Sequence, residues 1–281
     1  MTTTADARTN ATDSTDSTDS LIDDLTGWLE ANWDPDLTVE EWWDRLGRSG
    51  WGTPTWPVEW YGRGLSRADG VRVQQAIAAF GALGAPGGLG TLLAGPTITV
   101  HGTDEQRERY LLDIVTGRMA WCQLFSEPGA GSDLAGLNTR AELDGDEWIV
   151  NGQKVWTSGG HWSDLGMLLA RTDADVPKHQ GITYFAFDMH QPGVEIRPLR
   201  ELTGRAMFNE VFLTDVRVPA DAAIGGVNNG WAVANTTLMP PIAASAGTRT
   251  SVRKTSLNMA RPVSSRKGRT STPGWCMSNA K

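Results

Sequence analysis

The spacing of apolar residues changes character once, near Met119, and that change restricts the chain to a helical part followed by a separate sheet part. Before it, apolar residues recur at helical intervals: Leu21, Leu25, Trp28, Leu29 and Trp33 follow Ser20, which can cap a first turn. Thr38 and Glu41 form a T-x-x-E capping box ahead of Trp42, Trp43 and Leu46, and Thr103 with Gln106 forms another ahead of Tyr110, Leu111 and Ile114. Ser66 opens a further helix with Val73, Ile77 and Phe80 on one face, and Gly117 ends the last one. After Met119 come short β-branched and aromatic runs broken by turn dipeptides. Asp144-Gly145 precedes Trp148–Val150, and Asn151-Gly152 separates it from Gln153–Ser158, a pattern that predicts a meander of hairpins. Further strands are predicted at Leu165–Arg171, Ile182–Asp188, Val194–Pro198 and Asn209–Val218. The expected class is α+β, a helical domain over 21–118 followed by an antiparallel β-domain over 119–228.

Charge divides the chain a second time. All 33 acidic residues lie at or before Asp221, whereas eight Lys and Arg follow it (Arg249 to Lys281) without an acid. Residues 229–281 are therefore expected to be the remnant of one helix and a disordered basic tail, and the Thr/Ser/Asp-rich residues 1–20 a disordered arm. The polar N-terminus lacks a signal-peptide core and no stretch reaches the ~20 apolar residues of a membrane span, so a cytoplasmic protein is expected. Two cysteines and four histidines supply neither a disulfide framework nor metal-ligand spacing. The 13 tryptophans predict large core anchors. The run GAPGGLG at 84–90 lacks the Lys-Ser/Thr ending of a phosphate loop and reads as a helix–helix connection.

Two segments could carry chemistry. Gln123 to Asp133 (QLFSEPGAGSD) leaves a strand for a loop whose glycines permit close backbone approach to a planar or anionic ligand, with hydroxyls at Ser126 and Ser132. Trp156-Thr157-Ser158 ends a neighbouring strand with a flat apolar wall and two hydroxyls. Taken separately, the first reads equally as a turn and the second as a core tryptophan.

Together with Trp56-Pro57, Gly62–Gly64, His101–Tyr110 (HGTDEQRERY), Val150–Gly160 (VNGQKVWTSGG), Ala170–Asp173 and Phe208–Pro219 (FNEVFLTDVRVP), these segments resemble the flavin-dependent acyl-CoA dehydrogenases. The resemblance covers roughly residues 21–238. It implies a helical domain, a middle β-domain and a C-terminal four-helix bundle, with FAD held between the last two and its site completed by dimerisation. It further implies that Gln123, Leu124, Phe125, Ser126, Gly131 and Ser132 line the flavin ring. Ser132 also meets the pantetheine arm of an acyl-CoA, and Trp156, Thr157 and Ser158 contact the flavin edge. Cys122 is expected to be a small buried hydrophobe. The implied reaction is α,β-desaturation of the thioester, with electron-transfer flavoprotein as acceptor and a homo- or hetero-oligomer as the assembly.

The resemblance fades after Gly230–Leu238. In the family the carboxylate base sits in the bundle, and residues 239–281 contain no Asp or Glu, so no catalytic residue is assigned and the chain is expected to be incomplete and inactive alone. A frame shift in an ancestral gene would account for such a tail. Residues 201–210 (ELTGRAMFNE) also depart from the Arg-x-Ser-Asp-Thr pattern of many members. Two alternatives stay open: a non-catalytic flavin-binding subunit of a heteromeric dehydrogenase, and a non-enzymatic fragment whose tail binds anions. Only charge supports nucleic-acid binding, and the chain as a whole is acidic, at −8.

Overall fold

The computed structural model describes residues 12–239, with side-chain environments from Ser20 onward. The expectations for residues 1–11 and 240–281 lie outside the described residues. Helix α1 spans Thr12–Asn32, so the second half of the expected arm is helical and Ser20 lies inside the helix rather than capping it. Leu25 and Leu29 are buried, and a helix nucleated by a packed segment extends N-terminally at little further cost.

Helices α2 (Val39–Ser49), α3 (Arg67–Phe80) and α5 (Asp104–Val115) begin where their caps predict. Thr38 and Thr103 each complete a capping box, and Ser66 accepts the N–H of Asp69. Trp42, Leu46, Trp51, Val73 and Ile77 pack with α1 as one core, while Phe80 stays exposed at the end of its helix. The glycine-rich connection ends in a π turn, Gly90–Ala94, that leads into α4 (Gly95–His101). The indole N–H groups of Trp42 and Trp43 fasten this connection by donating to the carbonyls of Leu83 and Gly84.

The second half is one eight-stranded sheet: β1 (Trp121–Leu124), β2 (Arg140–Asp144), β3 (Glu147–Ser158), β4 (Leu165–Arg171), β5 (Ile182–Asp188), β6 (Val194–Leu199), β7 (Phe208–Pro219) and β8 (Ala223–Ile224). The order is β6-β7-β3-β2-β4-β5-β8, with β1 beside β4. Two features correct the sequence reading. First, the sheet is mixed: β1 runs parallel to β4, and β2 meets β4 in parallel at Arg140–Arg171. The long excursion from β1 through β2 and β3 supplies the crossover that parallel pairing needs. Second, Asn151-Gly152 is no hairpin turn but lies inside the continuous strand β3. A side chain at Gly152 would collide with Thr139, so the glycine serves close approach of two backbones beside a register shift.

One face of the sheet shares a core with the helices, through Ile98, Tyr110, Leu111, Trp121, Met167 and Tyr184. The other side buries Cys122, Leu124, Trp148, Phe185, Phe187 and Val216. Cys122 is a buried hydrophobe as expected, and burial pushes its thiol up to about 12. After β8 the chain enters helix α6 (Gly230–Leu238). Hydroxyls hold α6 to α4: Thr97 Oγ1 lies 2.9 Å from Thr237 Oγ1, and His101 Nε2 lies 2.7 Å from Thr236 Oγ1. No described helix is long and apolar enough to cross a membrane.

Candidate functional site

The two segments singled out in the sequence meet. Strand β1 ends at Leu124, and the following Ser126 accepts the N–H of Val155 through its carbonyl at 2.9 Å. This bond sets the start of the glycine-serine loop against the last residues of β3.

Those last residues are irregular. The register of β3 on β7 shifts between Lys154 and Thr157, and within the shift Trp156 takes φ 61°, a left-handed backbone that a bulky aromatic residue rarely adopts. The outcome is a tryptophan 61% exposed, its ring edge-on to Phe208 at a centroid distance of 5.8 Å. Strained backbone of this kind collects at functional sites. Ser158 is exposed on the same strand, whereas Thr157 between them is buried and turned inward. Asn209 donates to the Thr157 carbonyl at 3.0 Å. The Thr157 hydroxyl has no hydrogen-bond partner among the described residues, and neither has the buried amide nitrogen of Gln123.

Of the other residues named from the sequence, Ser126 is half-buried and Gly131 and Ser132 are exposed on the loop. Leu124 and Phe125 are core side chains; Phe125 packs edge-on to Tyr184. Any ligand at that point meets their backbone. The structure thus joins the Ser126 backbone to the strand end carrying Trp156 and Ser158, leaves Ser132, Trp156 and Ser158 exposed, and holds the Leu124, Phe125 and Thr157 side chains inside.

Beneath this surface lies a pair that the sequence reading missed. Lys154 is fully buried and donates to Glu127 Oε1 at 2.8 Å and to the Phe125 carbonyl at 3.2 Å. The Glu127 carboxylate also accepts the N–H groups of Asn138 (2.6 Å) and Thr139 (2.9 Å). Burial opposes the Glu127 charge, but Lys154 and the other donors outweigh it and hold its pKa below the usual carboxylate value. Burial pulls the Lys154 ammonium down to about 8, against the opposing effect of Glu127. The available signal was a lysine between the strand residues Gly152 and Val155, where alternation calls for an apolar side chain.

Beside Ser158 a cleft of about 280 Å³ opens between sheet and helices, lined by Trp43, Gly88, Gly90, Trp121, Gly159 and Trp162 among others. Gly159 has φ 66°, and a side chain there would strike the Trp162 ring. No group of three or more His, Cys, Asp or Glu among the described residues could hold a metal ion.

Comparison with known proteins identifies the two domains. Residues 20–118 match the acyl-CoA dehydrogenase N-terminal domain, and residues 122–216 match the acyl-CoA dehydrogenase middle domain. The chain is 53% identical over 185 residues to acyl-CoA dehydrogenase FadE34 of Mycobacterium tuberculosis, covering 66% of this chain and 26% of that protein. It is 46% identical over 197 residues to acyl-CoA dehydrogenase IpdE1 of the same organism, covering 70% of this chain and 51% of that one. Among solved structures, the ChsE4-ChsE5 complex from Mycobacterium tuberculosis matches with TM-score 0.62 at 30% identity, over 85% of this chain and 61% of that chain. The Tcur3481-Tcur3483 steroid ACAD matches with TM-score 0.61 at 30% identity, over 83% of this chain and 62% of that chain. The chain therefore spans between a quarter and two thirds of these relatives, and over its helical and sheet domains it belongs to the acyl-CoA dehydrogenase family.

Proposed function

We propose that this chain supplies the flavin-facing surface of an FAD-dependent acyl-CoA dehydrogenase that desaturates a thioester between its α and β carbons. The observation that carries the reading is Trp156, exposed and left-handed beside Ser126 and Ser158. A flat ring flanked by hydroxyls suits the edge of a planar, polar heterocycle, and the unpaired Gln123 amide and Thr157 hydroxyl leave unmet hydrogen-bonding capacity close by.

Bound FAD would supply the acceptor for the β-hydrogen as hydride. Ser126 and Ser158 would hold its polar edge, Trp156 would cover an apolar face, and Ser132 would receive the polar arm of the acyl-CoA. The cleft walled by Trp43, Trp121 and Trp162 offers flat apolar surface to the acyl group, in keeping with the similar Tcur3481-Tcur3483 steroid ACAD.

Glu127 is the carboxylate built into this site, but it cannot serve as the base. It is buried, ion-paired with Lys154 and occupied by two backbone donors. Residues 222–281 hold no Asp or Glu either. The two-protein ChsE4-ChsE5 complex favours a base supplied by a partner subunit. The test is to titrate FAD into the purified chain, and to follow acyl-CoA-dependent reduction of an electron acceptor with the chain alone and mixed with candidate partners. Tight FAD binding with turnover only in a mixture is expected. Absence of FAD binding in every mixture would overturn the reading.

A further inference from the structure

The Glu127–Lys154 pair lies under three parts of the candidate site at once. Glu127 receives the N–H groups of Asn138 and Thr139 while its own backbone pairs with Ala130, so it draws both ends of the loop carrying Gly131 and Ser132 to one point. Lys154 grips the Phe125 carbonyl next to Ser126, and it stands two residues before Trp156. On the far side of Trp156, Asn209 fixes the Thr157 carbonyl. The left-handed tryptophan is thus held from both directions, the condition under which strained backbone persists.

A buried ion pair is a poor way to gain stability, because apolar residues of similar volume often serve as well or better. An apolar replacement could not close the loop on two N–H groups, nor hold the Phe125 carbonyl. We propose that Glu127 and Lys154 are positioning residues, which set the Ser126, Ser132 and Trp156 surface to the shape a flavin requires. This rests on the flavin reading above, and its test separates the two.

The informative variant is the double substitution Glu127→Gln with Lys154→Met, which removes both charges, keeps the volume and leaves no lone buried ion. Hydrogen exchange of residues 125–133 and 155–158 is measured without flavin, alongside melting temperature and FAD affinity. Expected is faster exchange confined to those two segments, and FAD affinity reduced tenfold to a hundredfold, roughly the scale on which supporting groups act behind bound metals. A pair with a purely structural role would move the melting temperature and slow or speed exchange evenly across the sheet. Wild-type exchange at both segments in the folded double variant would overturn the proposal, as would unchanged FAD affinity. If the wild-type chain bound no FAD under any condition, the flavin reading would fail, and the exchange measurement alone would decide the positioning role. Should the double variant not fold, Glu127→Gln alone is read by the same two outcomes, since its amide keeps one acceptor oxygen for Asn138 or Thr139 and loses the other.

Discussion

Val155 donates its backbone N–H to the carbonyl of Ser126 at 2.9 Å, and this single bond joins the glycine-serine loop to the strand that presents Trp156. On either side of it the arrangement is polar and buried below, apolar and exposed above. Substitutions above and below that bond should therefore have opposite effects on stability, while both lower ligand affinity.

Above the bond, Trp156→Gly should raise stability while lowering FAD affinity. Glycine relieves a left-handed backbone, an effect on the order of 1 kcal/mol, and the ring is mostly exposed, so little burial is lost. Urea denaturation and FAD titration on the same preparations check both halves. Trp156→Ala should show the affinity loss without the gain in stability.

Below the bond, Lys154→Ala should be severely destabilising, by roughly 3–5 kcal/mol, because it leaves the Glu127 carboxylate buried and unpaired. Chemical denaturation measures it. A loss under about 1 kcal/mol would mean that water reaches Glu127 and that the pair is not sealed.

The same pair sets a pH dependence. Glu127 has a folded pKa below its ordinary value of 4.5, so its contribution is present above that value and is lost as pH falls through the folded pKa. Lys154 releases its proton near 8 in the fold but near 10.5 when unfolded, so its linkage raises stability with pH between those values. Relative to the Glu127→Gln, Lys154→Met double variant, the wild-type chain should lose stability faster below about pH 4.5. Melting curves of both proteins across pH test this.

Beside the cleft, Gly159→Ala should cost about 1 kcal/mol or more, since the new methyl adopts a left-handed backbone and meets the Trp162 ring. Displacement of Trp162 should also alter acyl-CoA selectivity in any active mixture, with bulky acyl groups affected before short ones. A substrate panel compared between the two proteins would reveal it.

Much of this architecture was legible because its signals are local. Thr38 with Glu41 and Thr103 with Gln106 announce helix starts through bonds made within four residues, and both capping boxes form. The glycine-serine segment and Trp156 stood out only through the family resemblance, since each alone reads as a turn or a core tryptophan. What escaped depends on distant partners. Asn151-Gly152 has turn chemistry, yet the glycine is demanded by Thr139 on another strand. The parallel seat of β1 on β4 is a matter of tertiary packing that alternation cannot express. Lys154 and Glu127 lie 27 residues apart, and neither charge shows alone that the other will meet it in the interior.

The register shift between Lys154 and Thr157 has a consequence for how this stretch can vary. Exchanging Val155 for another apolar residue leaves inside and outside where they are. Deleting it would leave one residue instead of two between Lys154 and Thr157, returning the strand to strict alternation and removing the irregularity that gives Trp156 its left-handed backbone. In this stretch the count of residues is as binding as their identity, and a gap here would do more damage than a substitution at either flank.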